Sequence, residues 1–350
     1  MTGEGVTEVD ASVGTLCMLQ ELRVHDTLVQ RLPEALLACS RLRSLSCTHS
    51  CLSRIPERLS ALAALTSLDL SCNALTRLPP SLAALSLLSS LDVSRNRLTL
   101  LPCGIGPLPS LTRLSVEHNS LSSWPLDMHL ASSLSRLRAG GNLSLGLPPS
   151  PHALTALRSL SLAGNALSNL RPSIQHVIDE VEEEEAEVAR TQLPGASLTE
   201  LDLSHNLLTT LPPCVARCSA LQRLWLSHNS LHILPASLAN LRALRTLDVS
   251  HNPLRLLPPA LSRTALMDTA DLCVESTPLR HPMRLDSPLD CPVRELLACY
   301  DKLERGRARV LQVTVLVEGP SHALTKLRVL DCLLPHTHAP GGPGGGGGAA

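Results

Sequence analysis

Leu65-Thr66-Ser67-Leu68-Asp69-Leu70-Ser71-Cys72-Asn73 decides the fold. Leu68 and Leu70 alternate with polar residues, the period-two pattern of a strand with one buried face. Asn73 then turns the chain, and its side chain can satisfy backbone groups freed where the strand ends. The same opening returns at a 23-residue step. Leu42, Leu65, Leu88, Leu111, Leu134 and Leu157 start six successive copies, and Leu198, Leu221 and Leu244 start three more. Asn96, Asn119, Asn142, Asn165, Asn206, Asn229 and Asn252 stand where Asn73 stands, and are expected to stack as a buried ladder. The second half of the copy carries Leu78-Pro79, Leu101-Pro102, Leu211-Pro212, Leu234-Pro235 and Leu257-Pro258. Proline fixes φ there and favours a return through a short helix or 3-10 turn such as 81–85. Trp124, before Pro125, falls in this Leu column and is expected in the core.

So short a unit cannot bury its apolar face alone, and stacked copies must share one continuous core. The expected fold class is an α/β solenoid. It is a horseshoe with a parallel sheet on its concave side and short helices or 3-10 turns on its convex side. Worn copies flank the regular ones: Thr27, Ser50 and Thr277 replace the Asn. About eleven repeats are expected across residues 17–282, after a flexible segment at 1–16.

Composition agrees with a Leu-layered core. Hydrophobic residues make up 44% of the 350 residues, yet aromatics only 1%, and Phe is absent. The net charge of −1 provides no global field for nucleic acid. The opening MTGEGVTEVD is acidic and lacks an apolar core, so no secretory signal is expected. No long apolar run suggests a membrane span. The 12 Cys are scattered rather than gathered into terminal caps, which suits a reducing compartment and a cytoplasmic location. Cys47/Cys51 and Cys214/Cys218 have C-x-x-x-C spacing, but no further ligand completes a metal site. No cofactor is expected, and no G-x-S-x-G or paired catalytic carboxylate appears.

In this grammar the chain resembles the intracellular leucine-rich-repeat family with 23-residue, L-P-containing repeats. That family includes Ras-pathway scaffolds, death-domain adaptors and Roco proteins. The resemblance implies a non-catalytic protein-binding scaffold or adaptor in intracellular signalling. By the same analogy its partner is a Ras-like GTPase or a signalling adaptor.

Residues beside the strand leucines are expected to face the concave side. Arg95, Arg97, Arg113, Arg136 and Arg138 then form a basic patch on neighbouring repeats. The second half presents Glu200, Asp202, His205, Arg223, Trp225, His228, Asp248 and His251. Trp225 occupies a position usually polar in the repeat. A Trp between Arg and Asp has the composition of a binding hot spot. The expected partner contacts are therefore Arg95, Arg113, Arg136, Arg138, Asp202, Arg223, Trp225, His228 and Asp248.

Two segments break the period. Leu157 to Leu198 is 41 residues, which implies an 18-residue insertion near 176–193. It holds Asp179-Glu180-Val181-Glu182-Glu183-Glu184-Glu185-Ala186-Glu187, seven acids and no base. A charge block of this kind is expected to be solvated, or to compete with an acidic partner for the arginines. After Pro282, residues 283–334 read as helix, strand and helix, in the order seen where Roco proteins enter their GTPase domain. The alternative reading is a truncated Roco-like regulator. However, Gly319-Pro320-Ser321-His322-Ala323-Leu324-Thr325-Lys326 lacks the second Gly and the Lys-Thr order of a P-loop. Residues 335–350 are nearly all Gly, Pro and Ala, and are expected to be disordered.

Overall fold

The computed structural model describes residues 5–142, 145–170, 193–281 apart from 195, 213 and 270, and 284–288, with four isolated positions beyond. Each copy contributes one short strand: β1 Glu21–His25, β2 Ser44–Thr48, β3 Ser67–Asp69, β4 Ser90–Asp92, β5 Arg113–Ser115, β6 Arg136–Arg138, β7 Ser159–Ser161, β8 Glu200–Asp202, β9 Arg223–Trp225, β10 Thr246–Asp248 and β11 Asp271–Cys273. They form a single 11-stranded sheet in chain order, all parallel. A two-stranded antiparallel pair, β12 Arg280–His281 and β13 Arg284–Pro288, follows. The insertion's acidic run, most of the expected helix–strand–helix segment and the Gly-rich tail lie outside the described residues.

The central residue of each three-residue strand, β3 to β11, is a buried Leu, in register with Leu22 and Leu45 of the longer β1 and β2 and running through Leu114 and Leu137 to Leu272. Burying one such side chain is worth about 1.5–3 kcal/mol, and neighbouring layers share it. Trp124 is fully buried in this stack, its indole Nε1 donating to the Gly146 carbonyl at 2.9 Å.

The Asn ladder joins consecutive repeats. Asn119 Nδ2 donates to Val93 O in the previous copy at 3.0 Å and to Val116 O in its own at 3.1 Å. Its Oδ1 accepts from Leu98 N at 2.9 Å. Asn96, Asn206, Asn229 and Asn252 repeat this set. Asn142, formally in a glycosylation sequon, is buried and committed in the same way, donating to Val116 O and Ala139 O. In the worn copies hydroxyls substitute: Thr27 Oγ1 and Ser50 Oγ lie 2.8 Å apart.

The residue before each ladder position turns with positive φ: Asp26, His49, Cys72, Arg95, His118, Gly141, Gly164, His205, His228, His251 and Ser276. Left-handed backbone costs a non-Gly residue about 1–2 kcal/mol. The ladder on either side offsets that cost, since Cys72 N still donates to Ser94 O at 2.9 Å and Asn73 N to Arg95 O at 3.1 Å. On the convex side the chain returns through 3-10 turns such as Pro80–Ala84, Leu126–Leu130, Ala236–Asn240 and Pro259–Arg263. Pro79, Pro125, Pro235 and Pro258 stand just before them.

The extra residues of the long copy leave the sheet untouched. β7 pairs with β8 as Ser159↔Glu200, Leu160↔Leu201 and Ser161↔Asp202, although 41 positions separate the partners. Leu170 and Leu193, the described residues on either side of 171–192, are both buried. Leu170 occupies the L-P column, on the convex half of its repeat.

Candidate protein-binding face

Side chains on either side of the central Leu point away from the core, and the register lines them up in two columns. The first runs Ser67, Ser90, Arg113, Arg136, Ser159, Glu200, Arg223, Thr246 and Asp271 from β3 to β11. The second runs Asp69, Asp92, Ser115, Arg138, Ser161, Asp202, Trp225, Asp248 and Cys273. Six of the nine expected contact residues are thereby placed on one surface near its middle: Arg113, Arg136 and Arg138 on β5–β6, then Asp202, Arg223 and Trp225 on β8–β9. Asp248 follows on β10.

Arg95 and His228 belong elsewhere. β4 ends at Asp92, and Arg95 lies in the left-handed turn beyond it, at φ 54°. Arg97 lies one residue past the ladder position. The patch expected from five arginines therefore gathers only three on the sheet, because the turn separates the other two from the pleat. His228 occupies the equivalent turn on its own repeat, at φ 53°.

Ser90, Asp92, Arg113, Ser115, Arg136 and Arg138 ring a hollow of about 140 Å³ in the concave face. Among the described residues none of its three arginines is in an ion pair. Arg138 is close enough to Glu117 to favour its charged form; burial is the larger influence and raises the Glu117 carboxyl above its ordinary range. Arg223 differs, since its guanidinium pairs with Glu200 in the preceding repeat. Sequence reading placed both residues on this face without recognising the pair. Its signal is the first column itself, which puts Glu200 directly opposite Arg223.

The aspartates of the second column also hold the fold. Asp202 Oδ1 accepts from Ser204 N at 3.0 Å and Ser204 Oγ at 2.7 Å, and Asp248 Oδ1 accepts the matching pair from Ser250. Asp69 and Asp92 accept the backbone N–H of Ser71 and Ser94. Each thus secures the turn after its strand, and the second oxygen of Asp202 also accepts from Ser161 Oγ in the preceding repeat at 3.3 Å. Trp225 is half-buried between Asp202 and Asp248 in the same column.

His205, His228 and His251 stack at the sheet's edge, with ring centroids 4.2 and 4.1 Å apart and planes within 12° and 11°. The imidazole lone pairs lie in nearly parallel planes and do not converge on a common point. His228 is exposed, but slight desolvation of its ring in the stack lowers its pKa, and its two histidine neighbours lower it further. Among the described residues no group of three or more His, Cys, Asp or Glu is arranged to hold a metal ion. No disulfide joins the described cysteines. Burial pushes the Cys47 and Cys218 thiols up to about 12 and Cys214 to about 11, so they remain protonated and poorly nucleophilic.

The Leucine rich repeat family model matches residues 63–121 and 196–254. The solenoid is a leucine-rich-repeat fold. A leucine-rich-repeat protein of Leptospira interrogans is 23% identical, with a TM-score of 0.53 over 84% of this chain and 80% of its own. The effector YopM of Yersinia pestis is 24% identical, with a TM-score of 0.54 over 77% of this chain and 69% of its own. A TDR receptor is 25% identical, with a TM-score of 0.57 over 73% of this chain and 43% of its own. No curated protein sequence matches the chain. Leucine-rich-repeat proteins are generally protein-interaction scaffolds. No helix among the described residues is long and apolar enough to cross a membrane.

Proposed function

We propose that this protein is a non-catalytic scaffold or adaptor of intracellular signalling that docks a protein partner across its concave sheet. The observation that carries this reading is the composition of the two outward columns. Three arginines without ion-pair partners among the described residues stand within a few strands of a half-buried Trp, on a surface set by the backbone register. Charged and aromatic groups on a rigid platform are what a macromolecular interface concentrates at its centre. Arg113, Arg136, Arg138 and Arg223 would meet acidic groups of the partner. Trp225 would supply apolar area, and Asp202 and Asp248 would set polarity along the column. Arg95 and His228 would lie at the rim.

The partner class we favour is a Ras-like GTPase or a signalling adaptor in the cytoplasm, with no nucleic acid and no bound cofactor. The wide scatter of cysteines, with the buried ones held as neutral thiols, supports a reducing compartment. Pull-down or proximity labelling with the wild-type chain and with Trp225→Ala/Arg136→Glu tests the reading. A discrete set of proteins lost from the variant is expected. Recovery of the same set by both baits overturns it.

A further inference from the structure

The β5–β6 hollow has a more specific chemistry than a general basic patch. Arg113 and Arg136 are register partners, which places their Cα atoms about one strand spacing, ~4.8 Å, apart. Arg138 rises from the same face of β6, two residues on. Asp92 is the one carboxylate of the rim, and one of its oxygens is engaged by Ser94 N. Among the residues that ring the hollow, three guanidiniums stand against one carboxylate, a lining charge of +2, with the half-buried Glu117 near Arg138 outside the ring. A carboxylate from a partner would neutralise half of that excess. A phosphate ester carries close to −2 at neutral pH, with three acceptor oxygens. Guanidinium forks suit those oxygens in geometry as well as charge. The Ser90 and Ser115 hydroxyls add neutral donors at the rim.

The second column adds a distance. Trp225 stands three strands from Arg138 in that column, about 14 Å at the usual strand spacing. An extended peptide covers this in four to five residues at ~3.3 Å each. No aromatic residue lines the hollow to stack on a base, and its apolar floor, Leu91 and Leu114, belongs to the closed core. Both features favour a peptide over a nucleotide or a lipid.

We infer that Arg113, Arg136 and Arg138 read a phosphorylated side chain in an extended segment of a partner protein, while an apolar residue four to five positions away packs on Trp225. The inference rests on the concave-face reading above and names the chemistry of its partner.

The test uses the full chain and fluorescein-labelled peptides. Each carries one phosphoserine, phosphothreonine or phosphotyrosine and one Leu, two to seven residues apart in a Gly/Ala background. Anisotropy is expected to show binding at least tenfold tighter than for peptides with Glu in place of the phosphoresidue, with an optimum at a spacing of four to five. Arg136→Gln/Arg138→Gln should abolish the phosphate preference. Trp225→Ala should abolish the spacing optimum and leave the phosphate preference standing. Equal binding of Glu and phosphorylated peptides overturns the inference and leaves a generally acidic partner, with the concave-face reading intact. The same follows if no peptide binds while the pull-down still loses its partners in Trp225→Ala/Arg136→Glu. Peptide binding that ignores the arginine substitutions overturns it too. If the intact chain ignores every phosphopeptide but a chain lacking residues 179–187 binds Glu and phosphorylated peptides alike, the hollow belongs to the chain's own acidic run and the inference fails.

Discussion

β5–β6 and β8–β9 place arginine at the same point of the same repeat, yet leave it in different states. Arg136 sits opposite Arg113, so like faces like. Arg223 sits opposite Glu200 and forms an ion pair with it. Below the surface the two regions are equivalent, since Leu137 and Leu224 are both fully buried in one continuous column. The repeat therefore supplies a grid of addresses, and charge on that grid is set by what the neighbouring repeat presents. Two arginines side by side are repelled in the free protein and gain most from an anion. An arginine beside a glutamate has much of that demand met already.

The largest effect should be the one that treats the two regions alike. Leu137→Ala and Leu224→Ala each remove a fully buried side chain, and each should lower stability by about 2–5 kcal/mol in chemical denaturation. A clear inequality between them would break the equivalence of the two cores. Next comes the triple reversal Arg113→Glu/Arg136→Glu/Arg138→Glu. Juxtaposing like charges across an interface costs several kcal/mol, so capture of partners should collapse, with the unfolding midpoint little changed. Trp225→Ala should weaken capture by about 2 kcal/mol, the lower bound of a hot spot, measured by titration against a recovered partner. Glu200→Gln sharpens the comparison directly. The Glu200–Arg223 pair is partly exposed, so stability should shift by less than about 1 kcal/mol. Freed of its partner, however, Arg223 should bind anionic peptides more like Arg136 does.

The smallest effect concerns the stacked histidines. His228, although exposed, titrates below its ordinary value of 6.5 because slight desolvation in the stack and its two histidine neighbours disfavour the imidazolium. An unfolded chain takes up that proton first. The group's contribution to stability is therefore fully present above 6.5 and is lost as pH falls from there through the lowered folded value. NMR titration of the imidazole signals should show His228 rising toward the ordinary value in His205→Ala. An unmoved titration would mean that the charge of His205 plays no part.

How much of this was legible in advance follows from which interactions obey the period. The Leu column, the Asn ladder and the parallel register repeat every 23 residues, so a single copy, Leu65 to Asn73, contains the rule for all. The concave columns were legible for Arg113, Arg136, Arg138, Asp202, Arg223, Trp225 and Asp248, because alternation on a strand fixes which way each side chain points. Arg95 was misplaced because alternation ends with the strand at Asp92, where a left-handed residue redirects the chain. The clue to that turn was thin. Gly141 and Gly164 occupy the same repeat position as Arg95 and His228, and Gly is the residue that reaches positive φ most readily. The pairing of Glu200 with Arg223 depends on side chains from different repeats, which a single-copy reading does not compare.

The pairing of β7 with β8 across 41 positions has an evolutionary and practical consequence. The sheet counts repeats rather than residues, so additions that enter after Leu170 and return before Leu193 do not disturb the register on which the concave columns depend. The convex flank is the seam where such a chain can acquire new modules over generations while the register of the concave columns is preserved. For the same reason, it is where an experimenter can splice a fluorescent reporter or an affinity handle and expect the opposite face to work as before.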